Sequence, residues 1–265
     1  MVLKLDKERF GPWAMVTGAS SGIGEEFARQ LAASGLNLVL VARRGPLLKS
    51  LAEELSARFK IQCRTVVSDV SEHNFLEPLA KATDDLDIGL VISNAGTGNP
   101  GRFLDHELSQ LMNVARLNAL SQMQIAHYFG RKLKQRGRGG LLMAGAMGAI
   151  GGIAYMANEC GTKAYVQSFG LSLHEELKKS GVNVTVLIVP PTQTAIIGKF
   201  GLDPAAMPMK PMQPTQCVTE ALNALVRNQT TILPGRINRM MMSLIPQGTQ
   251  RKMMGLMMGK VLKLA

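Results

Sequence analysis

Short runs that read as strands recur at residues 13–16, 36–42, 62–68, 88–93 and 140–143, with stretches of a different rhythm between them. In the first such stretch but one, Leu47, Leu48, Leu51 and Leu55 fall at the three-to-four spacing of an amphipathic helix. A helix is predicted over residues 72–86, with Ser71 as its cap, and one broken or two adjoining helices over residues 104–134. After the fifth strand a glycine-rich loop, residues 145–152, leads to a helix of about 20 residues that ends near Ser180. A helix over residues 215–227 and a short strand at 231–233 follow. Strands that alternate with helices predict an α/β fold, a doubly wound parallel sheet covered on both faces.

Thr17-Gly18-Ala19-Ser20-Ser21-Gly22-Ile23-Gly24 stands between the first strand and the first helix pattern. Gly18 permits a positive φ in the turn, Gly22 permits backbone to approach a ligand, and Gly24 permits the helix to pack closely on the strand. The free N–H groups of such a helix start favour an anionic pyrophosphate, so this stretch predicts a dinucleotide site. The second strand ends in Ala42, Arg43 and Arg44, where an NAD-preferring site would carry a carboxylate for the ribose 2′-hydroxyl. Arginine binds phosphate through two parallel hydrogen bonds, so NADP(H) is the expected cofactor, with Arg43 and Arg44 on its 2′-phosphate.

Composition narrows the alternatives. With 265 residues and 46% hydrophobic content, residues 1–235 are read as one domain, followed by a methionine-rich basic tail over 236–265. Cys63, Cys160 and Cys217 are far apart and the four histidines are scattered, so neither a disulfide framework nor a metal site is expected. No apolar signal segment is read at the start, and a cytoplasmic protein is expected. The net charge is +11, yet the basic clusters lack the aromatic residues that single-strand binders interleave, so nucleic acid is not an expected partner. The cluster at residues 131–138 is read as a solvated helix end.

The order and spacing of several motifs resemble the classical short-chain dehydrogenase/reductase family over nearly the whole chain. The motifs are the glycine turn at 17–24, Asp69-Val70, Ser93-Asn94-Ala95-Gly96, Asn118, and Thr162-Lys163-Ala164. The resemblance implies a Rossmann-type sheet of seven strands and a homodimer or homotetramer formed through residues 104–134 and the helix after them. It implies that Asp69, with Val70, contacts the adenine side and that Asn94, Ala95 and Gly96 back the cofactor. Asn118 would belong to a water relay, Lys163 would hold the ribose, and Thr192 would lie beside the cofactor. Asp69 also has a plainer reading, as part of the turn before a helix.

At the family's catalytic positions this sequence departs from the pattern. Four residues before Lys163, on the same helical face, stands Glu159 rather than tyrosine, and Ala146 stands where the serine is usual. Pro190-Pro191-Thr192 replaces the usual proline-glycine. Glutamate has an ordinary pKa of about 4.3, so half-protonation at pH 7 requires a rise of about 2.7 pH units, roughly 3.7 kcal/mol, against the pull of Lys163. On that ground ordinary carbonyl reduction is disfavoured, and Glu159 is read as a general base for isomerisation, elimination or cyclisation with NADP(H) bound. Alternatives are a plain Glu159–Lys163 ion pair in a cofactor-binding pseudoenzyme, and a carbonyl reductase whose proton comes through water or a displaced Tyr155. Tyr165 is read as packing and Cys160 as a buried, inert thiol.

Residues 194–214 are rich in proline, glycine and methionine and are expected to form a lid over a small apolar substrate. The tail combines seven methionines (240–242, 253, 254, 257 and 258) with Arg239, Arg251, Lys252, Lys260 and Lys263. That pattern fits a peripheral membrane or protein contact, and equally a helix pair that buries its methionines on the domain.

Overall fold

A computed structural model of the chain describes residues 5–200 and 210–264. After a short helix α1 (Lys7–Phe10), strand β1 (Trp13–Thr17) leads into α2 (Gly22–Ala33). The alternation continues with β2 (Asn37–Ala42), α3 (Gly45–Phe59), β3 (Cys63–Val67), α4 (Leu76–Lys81) and β4 (Ile88–Ser93). Helices α5 (Leu108–Ala115) and α6 (Ser121–Arg136) are joined without a break by one π-helical stretch, Arg116–Leu120. Then come β5 (Gly139–Ala146), α7 (Ala157–Lys178), β6 (Val182–Val189), α8 (Ala195–Lys199), α9 (Pro214–Val226) and β7 (Thr231–Ile232). Two helices end the chain, α10 (Arg236–Leu244) and α11 (Gln247–Val261).

The seven strands form one parallel sheet in the order β3-β2-β1-β4-β5-β6-β7. Alternate residues of each strand feed opposite faces. Ala14 and Val16 of β1 join Phe27, Leu31, Leu48 and Leu222 in one core, under α2, α3 and α9. Trp13 and Met15 join Leu79, Ile125, Phe129 and Val166 in the other, under α4, α6 and α7. Burial on both faces explains why the central strands read as continuous apolar runs. Strand order reverses between β1 and β4, which opens a crevice at their carboxyl ends.

Three local expectations are corrected. The helix expected over residues 72–86 is confined to Leu76–Lys81, and Ser71 does not cap it: Asp69 accepts from Ser71 N at 3.0 Å and Ser71 Oγ at 2.7 Å in a turn that precedes the helix, whose start at Phe75 has no side-chain cap. Strand β5 runs on to Ala146, paired with β6 along its whole length, so the glycine-rich loop starts later. The basic cluster before Gly137 is not all solvated. Arg136 donates to Arg9 O at 2.6 Å, to the Gly11 carbonyl and to Asp87 Oδ1 at 2.8 Å, tying the N-terminal segment to α6 and the start of β4.

Candidate active site

The crevice is a cavity of ≈ 460 Å³ that runs from the glycine turn to the second half of α11. Thr17, at the end of β1, closes its floor: the Thr17 hydroxyl oxygen accepts from Asn94 N and Ala95 N, each at 3.0 Å. Asn94 Nδ2 donates back to Thr17 O at 3.1 Å. Gly24 lies beneath the turn, where a β-carbon would overlap the Gly18 carbonyl oxygen. It therefore sets the closeness of α2 to β1 and, unlike Gly18, Ser20, Ser21, Gly22 and Ile23, does not line the cavity. Ser21 begins α2 without capping it through its side chain, so the first N–H groups of α2 have no side-chain cap from it.

Gly18, Ser20, Ser21, Gly22 and Ile23 line one end of the cavity, with Arg43, Arg44, Asp69 and Val70 beside them. The guanidinium of Arg44 donates to Ser20 Oγ at 2.9 Å and Ser21 Oγ at 2.7 Å, which holds it over the turn. Arg43 reaches Asp69 Oδ2 at 3.3 Å. Burial pushes the Asp69 carboxyl up, but the hydrogen bonds from Ser71 and the charge of Arg43 outweigh it and leave Asp69 below its ordinary value. Two cations and an uncapped helix start, at one end of a long cavity, fit a phosphorylated dinucleotide.

Asn94, Ala95, Gly96, Lys163 and Thr192 line the middle. Lys163 is buried in α7, and its ammonium donates to Ala144 O at 2.7 Å. Thr192 Oγ1 donates to Pro190 O at 2.8 Å. Asn118 is fully buried behind the wall, on the π-helical stretch. Its side chain accepts from Thr97 N at 2.9 Å and donates to Thr97 O at 2.8 Å and Thr162 Oγ1 at 3.2 Å. Its backbone carbonyl accepts from Gln122 Nε2 at 3.1 Å. Asn118 thus ties the segment that follows β4 to α7, and it does not itself line the cavity.

Glu159 is where the structure overturns a sequence argument. Its Oε2 atom is buried and has no hydrogen-bond partner, and it faces Gly98 and Phe200, where a β-carbon on Gly98 would collide with both. Desolvation raises the Glu159 pKa to about 7 against the opposing charge of Lys163. The same burial lowers Lys163 to about 8, opposed by Glu159. The shift judged too large from sequence is supplied by the fold, so a neutral carboxylic acid is substantially populated at neutral pH. Nor are the two groups joined by a hydrogen bond at Oε2: one N–H of the Lys163 ammonium goes to Ala144 O, and Glu159 Oε2 accepts from no donor.

The remaining candidates fall away. Tyr155 precedes α7 at φ 68°, and it does not line the cavity. Cys160 is buried and its thiol is pushed up by desolvation. Tyr165 is half-exposed and stacks on Phe169, and His174 is a buried structural residue whose Nδ1 lies 2.7 Å from Val184 O.

The far end of the cavity is apolar, lined by Met147, Ile153, Met156, Ile196 and Phe200 and by Met254, Met257 and Met258 of α11. Methionine periodicity in the tail signalled an apolar face, but not that the face is a cavity wall. Residues 201–209 of the expected lid, which include Pro204, Met207, Pro208 and Met209, lie outside the described residues. The ends of that segment are joined: Gln193 N donates to Met212 O at 2.8 Å and Met212 N to Pro191 O at 2.9 Å.

A sequence model described as short chain dehydrogenase matches residues 12–204. The chain belongs to this family. Among similar curated proteins is a very-long-chain 3-oxoacyl-CoA reductase of Meyerozyma guilliermondii, 34% identical over 209 residues, which are 75% of this chain and 61% of that protein. A protein of the same description from Neurospora crassa is 34% identical over 229 residues, covering 84% of this chain and 68% of that one. The chain spans 55% to 68% of the length of three curated relatives of this description. A solved short-chain dehydrogenase from Sphingobium yanoikuyae in complex with NADPH superposes with a TM-score of 0.81 at 27% identity, covering 89% of this chain and 96% of that one. Among the described residues, no helix of this chain is long and apolar enough to cross a membrane.

Proposed function

We propose that this dehydrogenase is an NADPH-dependent reductase of a carbonyl group on an apolar substrate, in which Glu159 replaces tyrosine as the proton donor. The observation that carries the reading is the buried, unpartnered Glu159 carboxyl in the same cavity as the dinucleotide turn, with its pKa at about 7. Arg43 and Arg44 support a 2′-phosphorylated cofactor, and the apolar far end supports an acyl or ketone chain. Relatives described as 3-oxoacyl-CoA reductases make a 3-oxoacyl thioester the first substrate to test.

NADPH, when bound, supplies a hydride for a carbonyl carbon. Glu159 in its neutral form gives its proton to the carbonyl oxygen, and Phe200 helps keep water from that carboxyl. Lys163, fixed by Ala144 O, offsets the charge left on Glu159 and holds the ribose. Ala146 carries no hydroxyl, so Glu159 is the donor the oxygen meets. Asn118 keeps the segment from Asn94 to Gly98 in register with α7.

The test is NADPH consumption against 3-oxoacyl thioesters and ketones of graded chain length. The expected result is turnover that Glu159→Gln lowers by about a hundredfold or more while NADPH affinity holds. Absence of turnover with every substrate, or unchanged turnover in the variant, would overturn the assignment. The base reading survives as a second one because a Glu159 pKa of about 7 leaves both its neutral and its ionised form accessible near neutral pH. It is distinguished by a product that forms without net NADPH consumption.

We also propose that copies associate through α5 and α7, where Leu108, Met112, Tyr165 and Leu171 are exposed.

A further inference from the structure

Residues 236–265 hold six basic side chains and no acidic one. Only Arg239 is matched by a carboxylate among the described residues, Glu220 at 2.9 Å. Arg236, Arg251, Lys252, Lys260 and Lys263 are exposed. On α10, Ile237 is 64% exposed, Met240 55% and Leu244 73%, at the spacing that puts them on one side of a helix. On α11, Met253 is 47% exposed and Leu256 64%, between Lys252 and Lys260. The other side of α11 turns Met254, Met257 and Met258 into the cavity.

These facts together exceed what a solvated helix pair requires. Five large apolar side chains face water along thirty residues; the α10 group adjoins Arg236, and the α11 pair lies between Lys252 and Lys260, none of these three cations matched by a carboxylate among the described residues. A second copy of the chain fits poorly, because an isologous contact would bring like charges face to face. Flexible methionine and leucine enter a fluid boundary without needing a shaped pocket, and cations beside them meet anionic headgroups.

We propose that α10 and α11 dock the protein peripherally on an anionic lipid bilayer. Ile237, Met240, Leu244, Met253 and Leu256 enter the boundary between headgroups and acyl chains, and Arg251, Lys252, Lys260 and Lys263 bind the headgroups. A helix is about 10–12 Å across. With one side of α11 on the lipid and the other forming the cavity wall, an apolar substrate has a short path between them. The docking itself does not depend on the reductase reading.

The experiment is flotation of the full chain, without cofactor, on phosphatidylcholine vesicles with and without about 30% phosphatidylserine. The expected result is binding to the anionic vesicles, weaker by about tenfold or more on phosphatidylcholine alone or when salt is raised from about 0.05 M to about 0.5 M. Two double variants, Ile237→Asn with Leu244→Asn and Lys260→Glu with Lys263→Glu, are each expected to lose about tenfold while thermal midpoints stay unchanged. The proposal is overturned if the native chain does not float, if neutral vesicles bind it equally, or if both variants bind as well as the native chain. It is overturned too if sedimentation equilibrium shows that these substitutions break a dimer, which would make a second copy the occupant.

Discussion

Glu159 carries two opposed effects, and their magnitudes decide its protonation. Loss of water raises its pKa and the nearby Lys163 charge lowers it, and the first prevails because Oε2 has no donor to accept from. A carboxyl whose folded pKa exceeds its unfolded value makes its full contribution to stability below the unfolded value and loses it as pH rises through the folded one. Between pH 4.5 and about 7 the native protein is therefore expected to lose up to about 3 kcal/mol of stability relative to Glu159→Gln. Urea unfolding of both proteins at several pH values measures this. Parallel stability profiles would mean that the carboxyl is solvated. The same titration predicts that reductase turnover falls as pH rises past about 7, as the proton donor ionises.

At the scale of the element, the unit formed by β1, the glycine turn and α2 is specified by contacts that the motif alone does not reveal. Gly24 fixes how near α2 lies to β1, and Thr17 fixes the end of β4 through Asn94 and Ala95. Arg44 is held over the turn by two serine hydroxyls rather than by a carboxylate, so its charge remains available. Arg44→Ala is expected to weaken NADPH binding by about tenfold or more and to leave NADH binding nearly unchanged, because only the first loses a charge-assisted bond. Fluorescence titration with the two nucleotides checks this, and equal losses would place Arg44 on the turn alone. The π-helical stretch between α5 and α6 carries Asn118, whose side chain spans from Thr97 to Thr162.

Across the whole molecule, one arginine joins parts that are distant in sequence. The Arg136 side chain is 11% exposed and satisfies the Arg9 and Gly11 carbonyls, at the end of α1 beside β4, while pairing with Asp87. Arg136→Ala would leave those acceptors unmet in a site nearly closed to water, at an expected cost of about 2–4 kcal/mol. Arg131, exposed on the same helix, should cost less than about 0.5 kcal/mol when replaced by alanine. Chemical denaturation of the two variants separates a staple from a solvated cluster.

The sequence determined the alternation of strands and helices, the sheet type and the dinucleotide turn, because these rest on local periodicity and on glycines whose conformations are local. It also placed the candidate pair Glu159 and Lys163 one helical turn apart on the same face. That the Glu159 pKa is raised follows only from tertiary structure, because its surroundings include Gly98 and Phe200, which approach it from distant parts of the chain. The same holds for the tail. Its methionines were legible as an apolar face, but only the return of α11 across the cavity divides them into a cavity wall and a face turned to solvent.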